Sequence, residues 1–421
     1  MNIHNLVSFA GIFILIGVAW VFSENRRIFN WKVVVWGTIL QLVFGAFVFL
    51  VPFGARIFLV ASDLVVKLLE ASTAGAVFCF GPLAAPPGSS GSVGFILVTQ
   101  ALPTIIFFAT LMQILYYVRI MPLLIKGCAA IFTRLMNVSG AEALCTASNI
   151  FVGIESATTI LPHIARMTRS ELGTILTAGM ATIASSVLGL YVMLLKPQFS
   201  DIAGHLISAS ILSAPAALVM AKVLMPESGK PETLGVNVEP YYERESSVIE
   251  AAINGATAGG KLMLGVVVML IAFLGLVALL NITLRSAGCP PLENLLAYIF
   301  YPFALVIGVS PADAWEVARL LGMRVIMTEV PAYEGLARLI ATHGLHDGRS
   351  AVLASYALCG FAHVASVAIF VGGTAALAPA RTPDLARVAI RALVAATLAC
   401  LMTAAVAGTF YGRGTLVLNL T

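Results

Sequence analysis

The chain has 421 residues, of which 60% are hydrophobic and only 10% charged, with a mean hydropathy of +0.99 and a formal net charge of +4. Soluble domains carry about 25% charged residues, so a water-soluble fold is excluded and the lipid bilayer is the expected solvent. The small, unclustered net charge argues against a nucleic-acid partner, and the scattered cysteines, none in a C-x-x-C pair, indicate neither a disulfide framework nor a zinc site.

A membrane-crossing helix needs about 20 mainly apolar residues. Runs of this kind lie at 5–22, 32–53, 95–118, 171–195, 201–222, 261–282, 350–377 and 386–411. The first lacks a basic flank before it and a small-residue cleavage site after it, so it reads as a retained helix rather than a signal peptide. Residues 55–75 alternate polar and apolar side chains at helical spacing, which suits an interfacial helix, and "APPGSSGSVG" (85–94) is a turn-rich connector. The stretch "PESGKPETLGVNVEPYYERESS" (226–247) is the long polar segment that separates two halves. Lys and Arg concentrate on cytoplasmic loops. "ENRR" at 24–27 follows the first helix, which places that end in the cytoplasm and both termini on the periplasmic or extracellular side of the inner membrane. Arg338 and Arg349 fall on the wrong side in this reading.

Two stretches resist a simple spanning interpretation. Residues 138–168 hold "ASNIFVGIESATT", and residues 309–343 hold "IMTEVPAYE". Each is long enough to enter the membrane and return, and each carries a Glu near its middle. "NVSGAEA" (137–143) parallels "GVSPADA" (308–314), and "AGMATIASSV" (178–187) parallels "CGFAHVASVA" (359–368). In the second pair Gly179, Ala181, Ala184 and Ser185 match Gly360, Ala362, Ala365 and Ser366 at a constant offset. Each half reads as helix, interfacial segment, Glu-bearing hairpin, helix, helix. An odd number of spanning helices per unit requires the second unit to be inverted. The expected fold is an all-α polytopic membrane protein with eight transmembrane helices, two re-entrant hairpins in an inverted repeat, and interfacial helices. Inverted repeats characterise secondary transporters, whose sites lie at hairpin tips and interrupted helices near the midplane. Gly153 is expected to let the first tip turn.

A carboxylate at the bilayer centre costs roughly 2.5–3.5 kcal/mol on insertion scales. Glu155 and Glu329 therefore serve either a ligand or a structural hydrogen bond, and their corresponding places in the repeat favour a ligand. A carboxylate accepts two hydroxyl hydrogen bonds at once, which suits a sugar diol. Asn149 and Thr182, with freed carbonyls nearby, form either a hard-oxygen shell for sodium or a helix-packing pair. His363 and Ser366, one turn apart on a helix, would face one cavity; the histidine would contact substrate, relay protons, or pack against a carbonyl. Arg319 and Arg324 read as structural, through snorkelling or pairing with Asp313 and Glu316, and Gly259-Gly260 as close packing. No Walker loop, metal motif or nucleophile elbow appears, so neither ATP-driven transport nor an enzyme is indicated.

The segments "AGAVFCFGPLA", "ALPTIIFFATLMQILYYVRIM", "NIFVGIES", "RSELGTILTAGMATIASSVLGLY", "SASILSAPAALVMAKVLMPE", "EAAINGATAGGKL", "TEVPAY" and "ALCGFAHVASVAI" occur in an order and spacing that resembles the concentrative nucleoside transporter family, in its bacterial short form, over essentially the whole chain. The resemblance implies a homotrimeric symporter that works by elevator-type alternating access. It places scaffold elements at 1–118 and 261–282, a cytoplasmic loop at 223–260, and two transport repeats at 119–222 and 283–421. It also implies a sodium site on Asn149, the Val152 carbonyl, Thr182 and the Ile183 carbonyl. Ribose contacts would fall on Glu329 and Ser366, with His363 in the place of a usual Asn and Phe361 near the sugar. The base side would fall on Ile154, Glu155 and Ser156 of the first tip, with Val187 packing on the base.

Departures lie on the substrate side. The family's first tip usually carries a Gln after the Gly, where this chain reads "GIES", one residue shorter, with Ile154 in the next place. The second tip reads "TEV" where many relatives have "NEF", and Ser185 stands where Gly is usual. Three readings follow: a sodium-coupled nucleoside importer; a proton-coupled importer of nucleosides, nucleobases or modified nucleosides, with His363 or Glu155 as proton carrier; and a binding or sensing protein without transport.

Overall fold

The structure is a computed structural model that describes residues 3–86, 92–242 and 245–412, apart from the side chain of Ile154. Every regular element among the described residues is a helix, and the one bridge is an isolated one between Ser139 and Leu234. The first three helices are α1 (Ile3–Val21), α2 (Trp31–Leu50) and α3 (Pro52–Phe80). The first repeat follows: α4 (Pro103–Tyr117), α5 (Ile120–Met136), α6 (Gly140–Asn149), a 3-10 turn (Ile154–Ile160) running into α7 (Leu161–Ile164), α8 (Arg169–Ala181), α9 (Ser185–Leu195) and α10 (Ile202–Leu224). The second has the same order: α11 (Val248–Ser286), α12 (Leu292–Val306), α13 (Ala314–Met327), α14 (Glu329–Ala341), α15 (Gly348–Leu358), α16 (Val364–Leu377) and α17 (Thr382–Phe410). Both expected hairpins are present, as α6–α7 and α13–α14.

Among the described residues, eight helical stretches are long and apolar enough to cross a membrane. Seven coincide with expected runs and one does not. Pro52–Ala84 qualifies by length and composition, although Arg56, Asp63, Lys67 and Glu70 run along α3. The run 350–377 does not qualify, because it breaks into α15 and α16 at residues 359–363. The run 171–195 breaks likewise after Ala181, where Thr182 is extended (φ −110°, ψ 166°). Helix α11 is 39 residues long and absorbs residues 248–260, which were expected to be loop.

Small residues set the close contacts. A Cβ on Gly255 or Gly259 would lie 2.7 Å from the Cα of Thr110 or Ile106, so the first helices of the two repeats, α4 and α11, pack backbone to backbone. Gly260 has open space around it. Gly360 has φ +119°, and a Cβ there would lie 2.7 Å from Ala181 O. The two helix breaks therefore touch at this residue, and only glycine fits. Gly153 does not turn by a positive φ (φ −88°). Its value is proximity, since a Cβ would sit 3.2 Å from Ala184 Cβ.

Buried polar clusters tie down both hairpins. Capping boxes start α6 (Ser139 with Glu142) and α8 (Thr168 with Glu171). Lys222 near the end of α10 lies 2.8 Å from Glu142, with side-chain exposures of 3% and 1%, and donates to Ser170 Oγ at 3.0 Å. The polar loop is bound along the first hairpin: Gly140 N donates to Thr233 O at 2.8 Å, Gly235 N to Val138 O at 3.2 Å, and Tyr241 N to Thr159 O at 2.8 Å. Arg349, misplaced by the charge-bias argument, is no surface residue. Its guanidinium donates to Asn5 Oδ1, His4 O, Ser8 Oγ, Gly308 O and Gly408 O, joining α1, α15 and α17.

Removing one member of a buried ion pair strands the other charge at a cost of about 3–5 kcal/mol. Lys222→Met is therefore expected to lower the thermal midpoint of the detergent-purified protein sharply. The double variant Lys222→Met/Glu142→Gln, which neutralises the stranded carboxylate and keeps its capping role, should recover much of the loss.

Candidate functional site: a polar cluster between two hairpin tips

A cavity of about 300 Å³ lies between the two hairpin tips, the two helix breaks and the side of α11. Among its lining residues are Glu155, Val187, Thr328, Glu329, Phe361, His363 and Ser366. Helix α11 closes it with Leu262, Val266, Met269 and Leu270, and adds Lys261, which the sequence reading did not single out. A larger cavity of about 510 Å³ shares Gly153, Glu155, Ser186 and Leu262 with it and reaches Tyr241, Tyr242 and Glu245 of the polar loop. The two cavities therefore adjoin at these residues. Gln113 hydrogen-bonds to Glu245 in the wall of the larger cavity.

Thr328 forms the second tip at φ +123°, a conformation that a β-branched residue adopts only under strain, at a cost of order 1–3 kcal/mol. The turn starts α14 with Glu329, so the carboxylate sits at a helix N-terminus, where the helix dipole favours negative charge. Glu329 is 5% exposed. Tyr191 donates its hydroxyl to Glu329 Oε1 at 2.6 Å, and His363 Nε2 lies 2.9 Å from Oε2. Ser366 Oγ lies 2.7 Å from His363 Nε2. Glu329 Oε2 has only the 2.9 Å contact to His363 Nε2, which is not aligned as a hydrogen bond, and Thr328 Oγ1 has no hydrogen bond, although both atoms are buried and both residues line the cavity.

His363 is not on a helix face, as expected, but is the N-cap of α16, with extended backbone (φ −141°, ψ 164°). The break in the run 350–377 moves it there. Its Nδ1 accepts from Ser366 N at 3.2 Å, which assigns the proton of a neutral ring to Nε2, toward Glu329 and Ser366. The expectation that His363 and Ser366 face one cavity holds by this route. Tyr191 was missed entirely. It is fully buried on α9, and its ring lies 4.7 Å from that of Tyr333.

The four candidate ion residues come together behind the first tip. Ser185 N donates to Phe151 O at 3.0 Å, and Ser210 Oγ reaches both Ile150 O (3.2 Å) and Ile183 O (3.3 Å). These bonds hold the α6 end against the α8–α9 break, with Asn149, Thr182 and Ile183 all at 1% exposure or less and Val152 half-buried. Thr182 Oγ1 donates to Ala178 O at 2.9 Å, which leaves its lone pairs free. Neutral amide, hydroxyl and carbonyl oxygens make a donor set for a hard cation. No group of three or more His, Cys, Asp or Glu suited to a metal occurs among the described residues. Ser156 was expected on the substrate side. Its Oγ instead donates to Asn149 Oδ1 at 2.9 Å, and it is absent from the cavity lining. The side chain of Ile154 lies outside the described residues.

The chain matches the family descriptions "Na+ dependent nucleoside transporter N-terminus" over residues 10–83, "Na+ dependent nucleoside transporter C-terminus" over 205–408, and "Gate: Nucleoside recognition" over 98–198. It is 36% identical to an uncharacterized transporter of Haemophilus influenzae, covering 97% of this chain and 98% of that protein. It is 32% identical to the nucleoside permease NupC of Helicobacter pylori, covering 98% and 99%. Its match to solute carrier family 28 member 3 of Homo sapiens is 36% identical but spans only 60% of that longer protein. Among solved structures, CNTnw in an inward-facing substrate-bound state matches with a TM-score of 0.89 and 34% identity, covering 97% of this chain and 99% of that one. A variant of CNTnw in an outward-facing state matches almost equally, with a TM-score of 0.88. These relatives are transporters, not enzymes, and with likeness along nearly its whole length the chain belongs to the family of Na+-dependent nucleoside transporters.

Proposed function

We propose that the protein is a sodium-coupled importer of nucleosides that works by elevator-type alternating access. One observation carries the reading: the Thr328 hydroxyl is buried without a hydrogen bond at the cavity wall, beside a buried carboxylate, Glu329, that Tyr191 and His363 hold in place. A buried polar group without a partner costs about 1–3 kcal/mol or more, so the site is built for a hydroxyl-bearing guest. The ribose of a nucleoside supplies two such hydroxyls. Val187 and Phe361 offer an apolar face for the base. Glu155 bounds the base side, and the absence of the usual Gln in "GIES" reduces hydrogen-bond readout of the base edge.

Asn149, Thr182 and the carbonyls of Val152 and Ile183 are proposed as the sodium ligands. Sodium there would fix the first tip against the α8–α9 break and so order one wall of the cavity before substrate enters. The moving unit would carry the two hairpins with α8–α10 and α15–α17, against a scaffold that includes α1–α4 and α11. The scaffold would form a homotrimer in the inner membrane, with both termini on the periplasmic or extracellular side. Ile271, Leu276, Leu279 and Ile282 of α11 are exposed in the single chain and free to meet lipid or a second copy.

The close approach of His363 to Glu329 favours a second reading, in which a proton held between imidazole and carboxylate is the coupling ion, with or without sodium. Accumulation of a labelled nucleoside by proteoliposomes, driven in turn by an inward sodium gradient and an inward proton gradient, separates the two. Saturable binding without accumulation under either gradient overturns both and identifies a binding protein. Under the primary reading, His363→Asn keeps sodium-driven uptake; under the second it abolishes proton-driven uptake.

Glu329→Gln is expected to weaken nucleoside binding by at least about tenfold, the scale of a hydrogen bond to a charged acceptor, as read by ligand-induced thermal shift. Tyr191→Phe removes the donor to Glu329 Oε1 and should weaken binding less than Glu329→Gln does. An unchanged affinity in both variants would remove Glu329 from the site. Chemical crosslinking followed by native mass measurement in detergent should give three chains per particle.

A further inference from the structure

Arg324 is the largest side chain buried completely in the molecule, at 0% exposure. It does not snorkel, and it pairs with neither Asp313 nor Glu316, as the sequence suggested; Arg319 takes Glu316 at 2.7 Å instead. Its Nη1 donates to Ala357 O at 2.6 Å, while Nε and Nη2 find no oxygen acceptor and the guanidinium lies against the Cys400 thiol of α17. The contrast with Arg349, which meets five acceptors, is plain.

The position explains why a charge is kept there. Ala357 lies in the last turn of α15, which ends at Leu358 inside the molecule. The last carbonyls of a helix lack intrahelical partners and form the negative end of its dipole. At α15 they are met from outside the helix: Ser355 O by Tyr333 Oη at 2.9 Å, Ala357 O by Arg324, and Cys359 O by Cys400 Sγ at 2.8 Å. In the first repeat the same elements recur. The first arm of the hairpin, α6, packs on α8, whose C-terminus ends at its own break, as α13 packs on α15. There the hairpin arm contributes Asn149 at its end, and the α8 end receives Thr182 Oγ1 and, at 3.6 Å, Cys400 Sγ. Among the described residues, no lysine or arginine hydrogen-bonds to it.

We infer that Arg324 is a tethered cation that does in the second repeat what a dissociable sodium does in the first: it holds the hairpin arm to the negative end of a broken helix. The comparison between repeats rests on the sodium reading proposed above. Arg324 is then a positioning residue for the Thr328–Glu329 tip, which lies just beyond it in the chain. The second hairpin stays closed against α15 without an ion, so the inverted repeat carries one exchangeable cation site and one permanent charge. A guanidinium suits the task because it stays charged when buried.

Hydrogen exchange on the full-length protein in detergent, in sodium and then in choline, tests this. In the wild type, protection of residues 178–186 should rise in sodium, while protection of residues 355–363 should be the same in both salts. Arg324→Gln should lose protection at 355–363 by about tenfold or more, with α10 unaffected, and Arg324→Lys should retain most of it. Loss spread equally over α10 indicates a merely structural residue and overturns the inference. So does protection of 355–363 in the wild type that depends on sodium as strongly as that of 178–186, a result that needs no variant. If neither break responds to sodium, the sodium reading fails, and with it the comparison between repeats. If Arg324→Gln matches the wild type, the sodium reading stands and the tethered cation does not.

Discussion

Inside a bilayer no water is available to an unpaired peptide group, so every N–H and C=O must find a partner in the protein or line a cavity. This chain breaks two helices and turns two hairpins at depth, and its architecture follows from how those free ends are met. The α15 end is met by Tyr333 and Arg324 of the second hairpin and by Cys400 of α17. The first tip is met by Ser185 N at the α8–α9 break and by Ser210 of α10. The partners all come from other elements. A hairpin and the helix break it faces are thus parts of one hydrogen-bonded unit. At Gly360 the two breaks touch, which joins the units to each other.

The same free ends make the site. Helix N-termini attract anions, and Glu329 begins one. Helix C-termini and loose carbonyls attract cations, and Asn149 and Ile183 stand beside two of them. Under the proposed function, the polarity of the broken helices would separate the places for a carboxylate-bound sugar and for a positive ion within one small volume. The strained Thr328 aims the carboxylate at the cavity. That strain persists because Tyr191 and His363 fix the group from the far side.

Much of this was legible from isolated polar residues in apolar surroundings. Glu155, Glu329, Asn149 and Thr182 stood out because a polar group at such depth needs either a ligand or a structural partner, and the two Glu-bearing stretches resisted a simple spanning reading. The breaks within 171–195 and 350–377 were not legible as interruptions. Both flanks are apolar, no proline marks them, and hydropathy averages across a gap of a few residues. The misplacement of His363 on a helix face has that single cause. Tyr191 and Arg324 escaped for another reason. Tyr191 meets a carboxylate 138 positions away, and Arg324 meets a backbone carbonyl 33 positions away. A periodicity cannot display such partners. Ser156 shows the limit of reading a tip by adjacency, since its neighbour Glu155 faces the cavity while its own hydroxyl turns to Asn149.

His363 helps to hold the Glu329 carboxylate: with its Nδ1 committed to Ser366 N, it presents Nε2 to Glu329 Oε2 at 2.9 Å. Glu329 is thus held from two sides by the protein itself, by Tyr191 at Oε1 and by His363 at Oε2. A guest hydroxyl completes an existing network and need not build one. The polar fixtures cluster at Glu329, His363 and Ser366, while Val187, Phe361 and the α11 side chains are apolar. That arrangement orients an amphipathic guest with its hydroxyls toward the second tip. Under the proposed function, selection among bases would rest on shape and apolar contact more than on a hydrogen-bond code.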